Sequence, residues 1–184
     1  MAAIAITNSI ESLRTIFSKI KSVFFVKSID MPMANLATFD MEFPVISDGV
    51  TFDMGSPDVS NVRLTTGAIW TSFSELGDPD VSFQVSSLDD EINSLFLSKV
   101  GDVTQTNTLG GKAFKGAGYN LTTNKVTGGL YLLDDTGDHA IFMPSVEMFG
   151  SPIIEQGSKP AYYNVQVTPV PSPEGQIIIL EKTA

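Results

Sequence analysis

The sequence predicts a mainly β fold: a β-sandwich or split β-barrel of antiparallel strands, with one central helix over about residues 87–100 and an amphipathic helix over about 9–24. Three observations carry this. Short runs in which every second residue is apolar recur about every 8 to 12 residues. Clusters of Gly, Pro, Asp, Asn and Ser separate them. Apolar spacing of three and four residues is confined to two stretches.

The first helical stretch opens at Asn8, with Glu11 at the spacing of a capping box. Ile10, Leu13, Ile16, Phe17, Ile20, Val23 and Phe24 then form an apolar stripe, with Ser12, Arg14, Thr15, Ser18, Lys19 and Lys21 opposite. The charges interrupt the apolar stretch, unlike a secretory signal, and no run approaches the roughly 20 apolar residues of a transmembrane helix. Such a helix either packs on its own domain or docks on a neighbouring subunit or membrane surface, and the pattern leaves these open. Ile10, Leu13, Phe17 and Ile20 are the candidate docking residues. The domain reading is an N-terminal helix or arm over 1–30 and a single β domain over 31–184.

In the first strand set, Phe39, Met41 and Phe43 alternate with Asp40 and Glu42, and Pro44 ends the run or confines it to an edge. Asp48-Gly49 reads as a hairpin turn between Val45-Ile46 and Val50-Thr51-Phe52, and Gly55-Ser56-Pro57-Asp58 as a second turn. Val62 and Leu64 alternate, and Ala68-Ile69-Trp70 with Phe73 forms an apolar strand in which Trp70 is expected in the core. After Gly77-Asp78-Pro79-Asp80, the alternation of Val81, Phe83 and Val85 marks another buried strand.

The central helix is signalled by Asp89, Asp90 and Glu91 ahead of Ile92, Leu95, Phe96 and Val100, with Lys99 near its end and Gly101 to close it. A flexible Gly-rich stretch follows over 110–118. The second strand set comprises 126–133, a turn at 134–138, a partner at 140–143 stopped by Pro144, a continuation through Val146, Met148 and Phe149, then 162–167 and 176–180. No period of 20 to 50 residues repeats convincingly.

Composition narrows the function. At 184 residues the chain has the size of one domain that buries a core without disulfide staples. It has no cysteine and one histidine, which excludes thiol chemistry and cysteine-ligated zinc and leaves His139 as the sole basis for any triad. The net charge of −10 is uneven: four bases against two acids over 1–30 (+2), and seven against nineteen over 31–184 (−12). An acidic body disfavours a sequence-independent grip on phosphate.

Catalytic motifs fail on their surroundings. Asp135-Thr136-Gly137 matches the aspartic-protease tripeptide, but Asp134 and Asp138 flank it and the segment reads as a hairpin turn. The same acids lack calcium-loop spacing. Gly110-Gly111-Lys112 and Gly116-Ala117-Gly118 complete neither phosphate-loop pattern. No Gly-x-Ser-x-Gly elbow accompanies His139. Asn120-Leu121-Thr122 is a glycosylation sequon without a secretion signal. No enzymatic activity, cofactor or metal is expected.

In organisation the chain resembles the tail tube (major tail) proteins of long-tailed bacteriophages. The resemblance covers roughly 35–184. It is carried by the phrase Ser82-Phe83-Gln84-Val85 followed by Asp89-Asp90-Glu91-Ile92 and Leu95-Phe96, and by Gly128-Gly129-Leu130-Tyr131, Ile141-Phe142-Met143-Pro144 and Val165-Gln166-Val167-Thr168-Pro169. The N-terminal helix departs from that family's short flexible arm. The resemblance implies a virion protein, made in the host cytoplasm. It would assemble with itself into stacked hexameric rings, contact other tail proteins, and form a tube through which DNA passes without specific binding; no membrane partner is implied. Phe52 and Met54 are candidate contacts between rings. The alternative is a β-sandwich binding module (adhesin-like, a decoration or a baseplate protein), which would present Trp70, Tyr131, Tyr162 and Tyr163 together on one exposed face.

Overall fold

The computed structural model describes residues 17, 19–77, 79–104, 108, 110–155 and 160–183. In chain order the strands are β1 (Ile20–Val26), β2 (Met41–Phe43), β3 (Val45–Asp53), β4 (Pro57–Arg63), β5 (Ile69–Leu76) and β6 (Asp80–Val85). After the helix α1 (Asp90–Phe96) come β7 (Leu97–Thr104), β8 (Lys115–Thr123), β9 (Val126–Asp134), β10 (His139–Ile153), β11 (Tyr162–Pro169) and β12 (Ile178–Glu181). A single 3-10 turn, Met33–Asn35, lies between β1 and β2.

Eight strands form one sheet in the order β2-β1-β9-β10-β11-β6-β3, with β12 also paired to β10. All its pairings are antiparallel. Its outermost strands, β2 and β3, are joined through Pro44 alone, so the sheet has to roll up, and it does so into a nearly closed barrel. β10 is long enough to serve two neighbours on one side: its start pairs with β12 and Val146–Ile153 with β11.

The core follows from alternation. Val81, Phe83 and Val85 are buried along β6, as are Leu130 and Leu132 on β9 and Tyr163, Val165 and Val167 on β11. A chain of rings crosses the interior: Phe25–Phe43 (6.0 Å), Phe43–Phe83 (5.2 Å), Phe43–Phe96 (6.3 Å) and Phe96–Tyr163 (5.4 Å). α1 is fixed to this core by Ile92 and Phe96, and by the buried Tyr163 hydroxyl, which donates to Asn93 Oδ1 at 2.7 Å. Gly150 makes room for Phe96: a Cβ there would stand 2.5 Å from the ring.

Several sequence expectations are corrected. Residues 20–24, expected to complete the N-terminal helix, belong to β1. Ile20, Val23 and Phe24 satisfy helical spacing, but 20–26 is also a nearly continuous apolar, β-branched and aromatic run, and β9 supplies the hydrogen-bonding edge. The rest of that helix lies mostly outside the described residues. The central helix ends at Phe96 rather than near 100, because Leu97–Thr104 pairs with β8 and Lys99 becomes a strand residue. Asp48-Gly49 lies inside β3, where the register with β6 shifts between Val45 and Val50, so it is an irregularity in a strand and not a hairpin turn. Pro144 does not stop β10: the ladder with β9 is irregular between Met143 and Val146, which accommodates a residue without an N–H donor. The Gly-rich stretch over 110–118 becomes strand from Lys115 onward. Phe39 lies outside β2 and stacks on Phe24 at 4.9 Å.

Candidate assembly surface

Two two-stranded sheets stand apart from the barrel, β4–β5 and β7–β8. The first is a hairpin inserted between β3 and β6. Its base is set by Asp53, whose Oδ1 accepts the Gly55 N–H at 2.9 Å, and by the Gly77 N–H, which donates to Ser56 O at 3.2 Å. At its tip the Leu64 N–H donates to Ala68 O and the Gly67 N–H to Leu64 O, both at 2.8 Å. Gly67 has φ +84°, a left-handed conformation that favours glycine. Arg63 Nη1 donates to Gly67 O at 3.0 Å and Ser72 Oγ to Asn61 Oδ1 at 2.6 Å, so the hairpin is stiffened from within.

What sets this hairpin apart is what it exposes. All of β4 is exposed, and Val59, Val62, Leu64, Ile69, Trp70 and Phe73 are exposed large apolar side chains. Trp70 is 71% exposed and stands unopposed where the register slips between Val62↔Thr71 and Arg63↔Ile69. Apolar exposure this concentrated on a stiff projection makes it the candidate contact surface, in a way that scattered single residues do not.

The second hairpin leaves the end of α1 and folds back beside it. Lys99 joins the elements, with Nζ 2.8 Å from Asp90 Oδ2 and 2.9 Å from Asp102 Oδ1. The Tyr119 hydroxyl donates to Asp90 Oδ1. These contacts hold the Asp90 carboxyl below the ordinary range, first through the hydrogen bond from Lys99 and then through Tyr119. They raise Lys99, chiefly through Asp102 and then Asp90. Val100, Val103, Phe114 and Leu121 are exposed here. Between helix and hairpin runs an open groove of about 970 Å³, with Leu88, Asp89 and Asn93 on one side and Val103, Lys115 and Ala117 on the other.

The sequence-nominated contact residues fare unevenly. Phe52 is half-buried on β3 and packs against the core, while Met54 is half-buried at the base of the β4–β5 hairpin. Phe17 and Ile20 are also half-buried against the core of their own chain. Ile10 and Leu13 lie outside the described residues. Trp70, expected in the core, is exposed; β5 is apolar enough to read as a buried strand, but among the described residues no second layer covers it. The alternation at Val62 and Leu64 and the apolar strand from Ala68 to Phe73 pointed to this pair. Pro57 and Asp58, expected in a turn, instead open β4 (Pro57-Asp58-Val59-Ser60-Asn61-Val62-Arg63), which has too few apolar residues for its start to stand out. A mostly polar run beside an apolar partner strand was the available signal.

The acidic turn is explained by folding. Asp134 is fully buried, and its carboxylate accepts from Thr136 Oγ1 (2.7 Å) and from the N–H groups of Gly137 (2.7 Å), Asp138 (3.1 Å) and His139 (3.3 Å). Burial pushes the carboxyl up, but the hydrogen bonds from Thr136, His139 and Gly137 outweigh it and bring it down to about 2. It is a turn organiser, with the His139 ring at its side (Nδ1 to Oδ2, 3.4 Å). Among the described residues no group of three or more His, Asp or Glu is placed to hold a metal ion, and no helix is long and apolar enough to cross a membrane.

Comparison with protein-family models gives no match to this chain, and comparison with curated protein sequences gives none either.

Proposed function

We propose that this chain is a structural protein that assembles with copies of itself, and that the assembly is a bacteriophage tail tube built from stacked hexameric rings. The observation that carries the self-assembly reading is the β4–β5 hairpin: stiff, projecting from the barrel, and lined with six exposed large apolar side chains. A hairpin of this kind is covered in its working state, and a repeating partner of the same sequence is the simplest cover. The tail-tube identity rests on the resemblance in sequence organisation, supported by the β-rich fold with one helix between two strand sets. The net charge of −12 over residues 31–184 suits a conduit through which DNA slides, since like charge denies phosphate a resting place.

The binding-module alternative needs Trp70, Tyr131, Tyr162 and Tyr163 on one exposed face. Tyr162 and Tyr163 are buried and Tyr131 is half-buried beside Phe39, so no such platform forms.

The test is sedimentation velocity with negative-stain imaging over a range of concentration and salt. Rings or tubes are the expected outcome, accompanied by a blue shift and quencher protection of the sole tryptophan, Trp70, as they form. A protein that stays monomeric throughout overturns the reading.

A further inference from the structure

We propose that the groove between α1 and the β7–β8 hairpin seats the tip of the β4–β5 hairpin from a second copy of this chain; this rests on the self-assembly reading above and names the surface that meets the hairpin. Topology puts the two features at opposite ends of one strand. β6 begins at Asp80, opposite Asp53, where the β4–β5 hairpin returns to the barrel. It ends at Val85, opposite Val45 on one side and Tyr163 on the other, and the chain then enters α1 beside the groove. A projection at one end and a recess at the other make a heterologous, head-to-tail contact. Such contacts close into rings or continue as a filament.

Size and chemistry agree with that placement. The groove, about 970 Å³ and open, is large enough for one or two bulky side chains, and Leu88, Val103 and Ala117 give it apolar flanks. The hairpin offers Leu64, Trp70 and Val62 near its tip. Charge fits as well. Arg63 is the only ionic residue over 59–74, and its bond to Gly67 O engages one guanidinium nitrogen and leaves further donors. On the groove side, Lys99 already engages Asp90 and Asp102. Asp89 interacts with Ser87, its side chain lying 3.0 Å from Ser87 Oγ, and among the described residues no cation is paired with it. Asp89 is therefore the acid open to an incoming Arg63. Lys115, on the far side at the end of the β7–β8 ladder, keeps the contact polarised.

The chain has no cysteine, so introduced thiols report contacts cleanly. Full-length Thr66→Cys protein (hairpin tip) is mixed with Val103→Cys protein (groove) under mild oxidation. The expected yield of disulfide-linked dimer is about tenfold that of Thr66→Cys mixed with Lys125→Cys, because docking raises the local thiol concentration. In parallel, Arg63→Asp and Asp89→Lys are each expected to reduce the assembled fraction in sedimentation, and the doubly exchanged chain to recover it. Preferential cross-linking or recovery by charge exchange supports the seat. If wild-type protein assembles while neither is seen, the groove is overturned and self-assembly stands. If wild-type protein never assembles, the self-assembly reading has failed and takes the seat with it.

Discussion

β6 and β5 are neighbours in sequence, and both carry several large apolar residues. Along β6, Val81, Phe83 and Val85 are buried, and β3 and β11 flank the strand on either side. Along β5, Ile69, Trp70 and Phe73 are exposed, and among the described residues β4 is the strand's only sheet partner. The difference lies in whether a second layer faces the strand. A two-stranded ribbon has no opposite wall, so its apolar side chains stay in water until another surface arrives. Stability therefore resides in the barrel, association is what we propose for the ribbon, and the two are expected to separate under mutation.

The largest effect is expected in the ring chain of the barrel. Phe83→Ala removes a fully buried ring in contact with Phe43 and is expected to cost about 3–5 kcal/mol in urea unfolding. Next comes the seat of Phe96: Gly150→Ala places a methyl 2.5 Å from that ring and is expected to cost about 1–3 kcal/mol, because both partners are hemmed in.

The third prediction concerns pH. The Asp134 carboxyl is at about 2 in the folded chain and near 4 when unfolded, so its contribution is complete above about pH 4 and is lost as the pH falls towards 2. Asp134→Asn is expected to flatten that part of the stability–pH curve, read from thermal midpoints between pH 2 and 5. A curve of unchanged slope would show that other carboxylates govern acid unfolding.

The smallest effect on stability is expected in the ribbon. Trp70→Ser with Phe73→Ser changes side chains that are 71% and 53% exposed and is expected to stay within about 0.5 kcal/mol of wild type. The same pair is expected to abolish assembly in sedimentation. A large stability loss here would place the ribbon against the barrel and erase the contrast between them.

Much of the barrel was legible because alternation and turn chemistry are local. Val81, Phe83 and Val85 announced β6, Tyr162 to Val167 most of β11, and the acids and glycine of 134–138 their hairpin. Where the reading failed, two periods or two roles were compatible with the same letters. Ile20, Val23 and Phe24 fit a helix as well as a strand, and the edge of β9 decided between them. Asp48-Gly49 has hairpin chemistry, but the pairing of β3 with β6 carries the strand through it. The candidate assembly surface was the least legible part, since exposure is a relation between distant segments.

The β class, the acidic turn at 134–138 and the alternating faces followed from the letters alone, because φ/ψ preference and side-chain period act within a few residues. Which apolar faces are covered came from long-range packing: the same kind of residue is core at Phe83 and surface at Trp70, because burial depends on a second layer that, among the described residues, β6 has and β5 lacks.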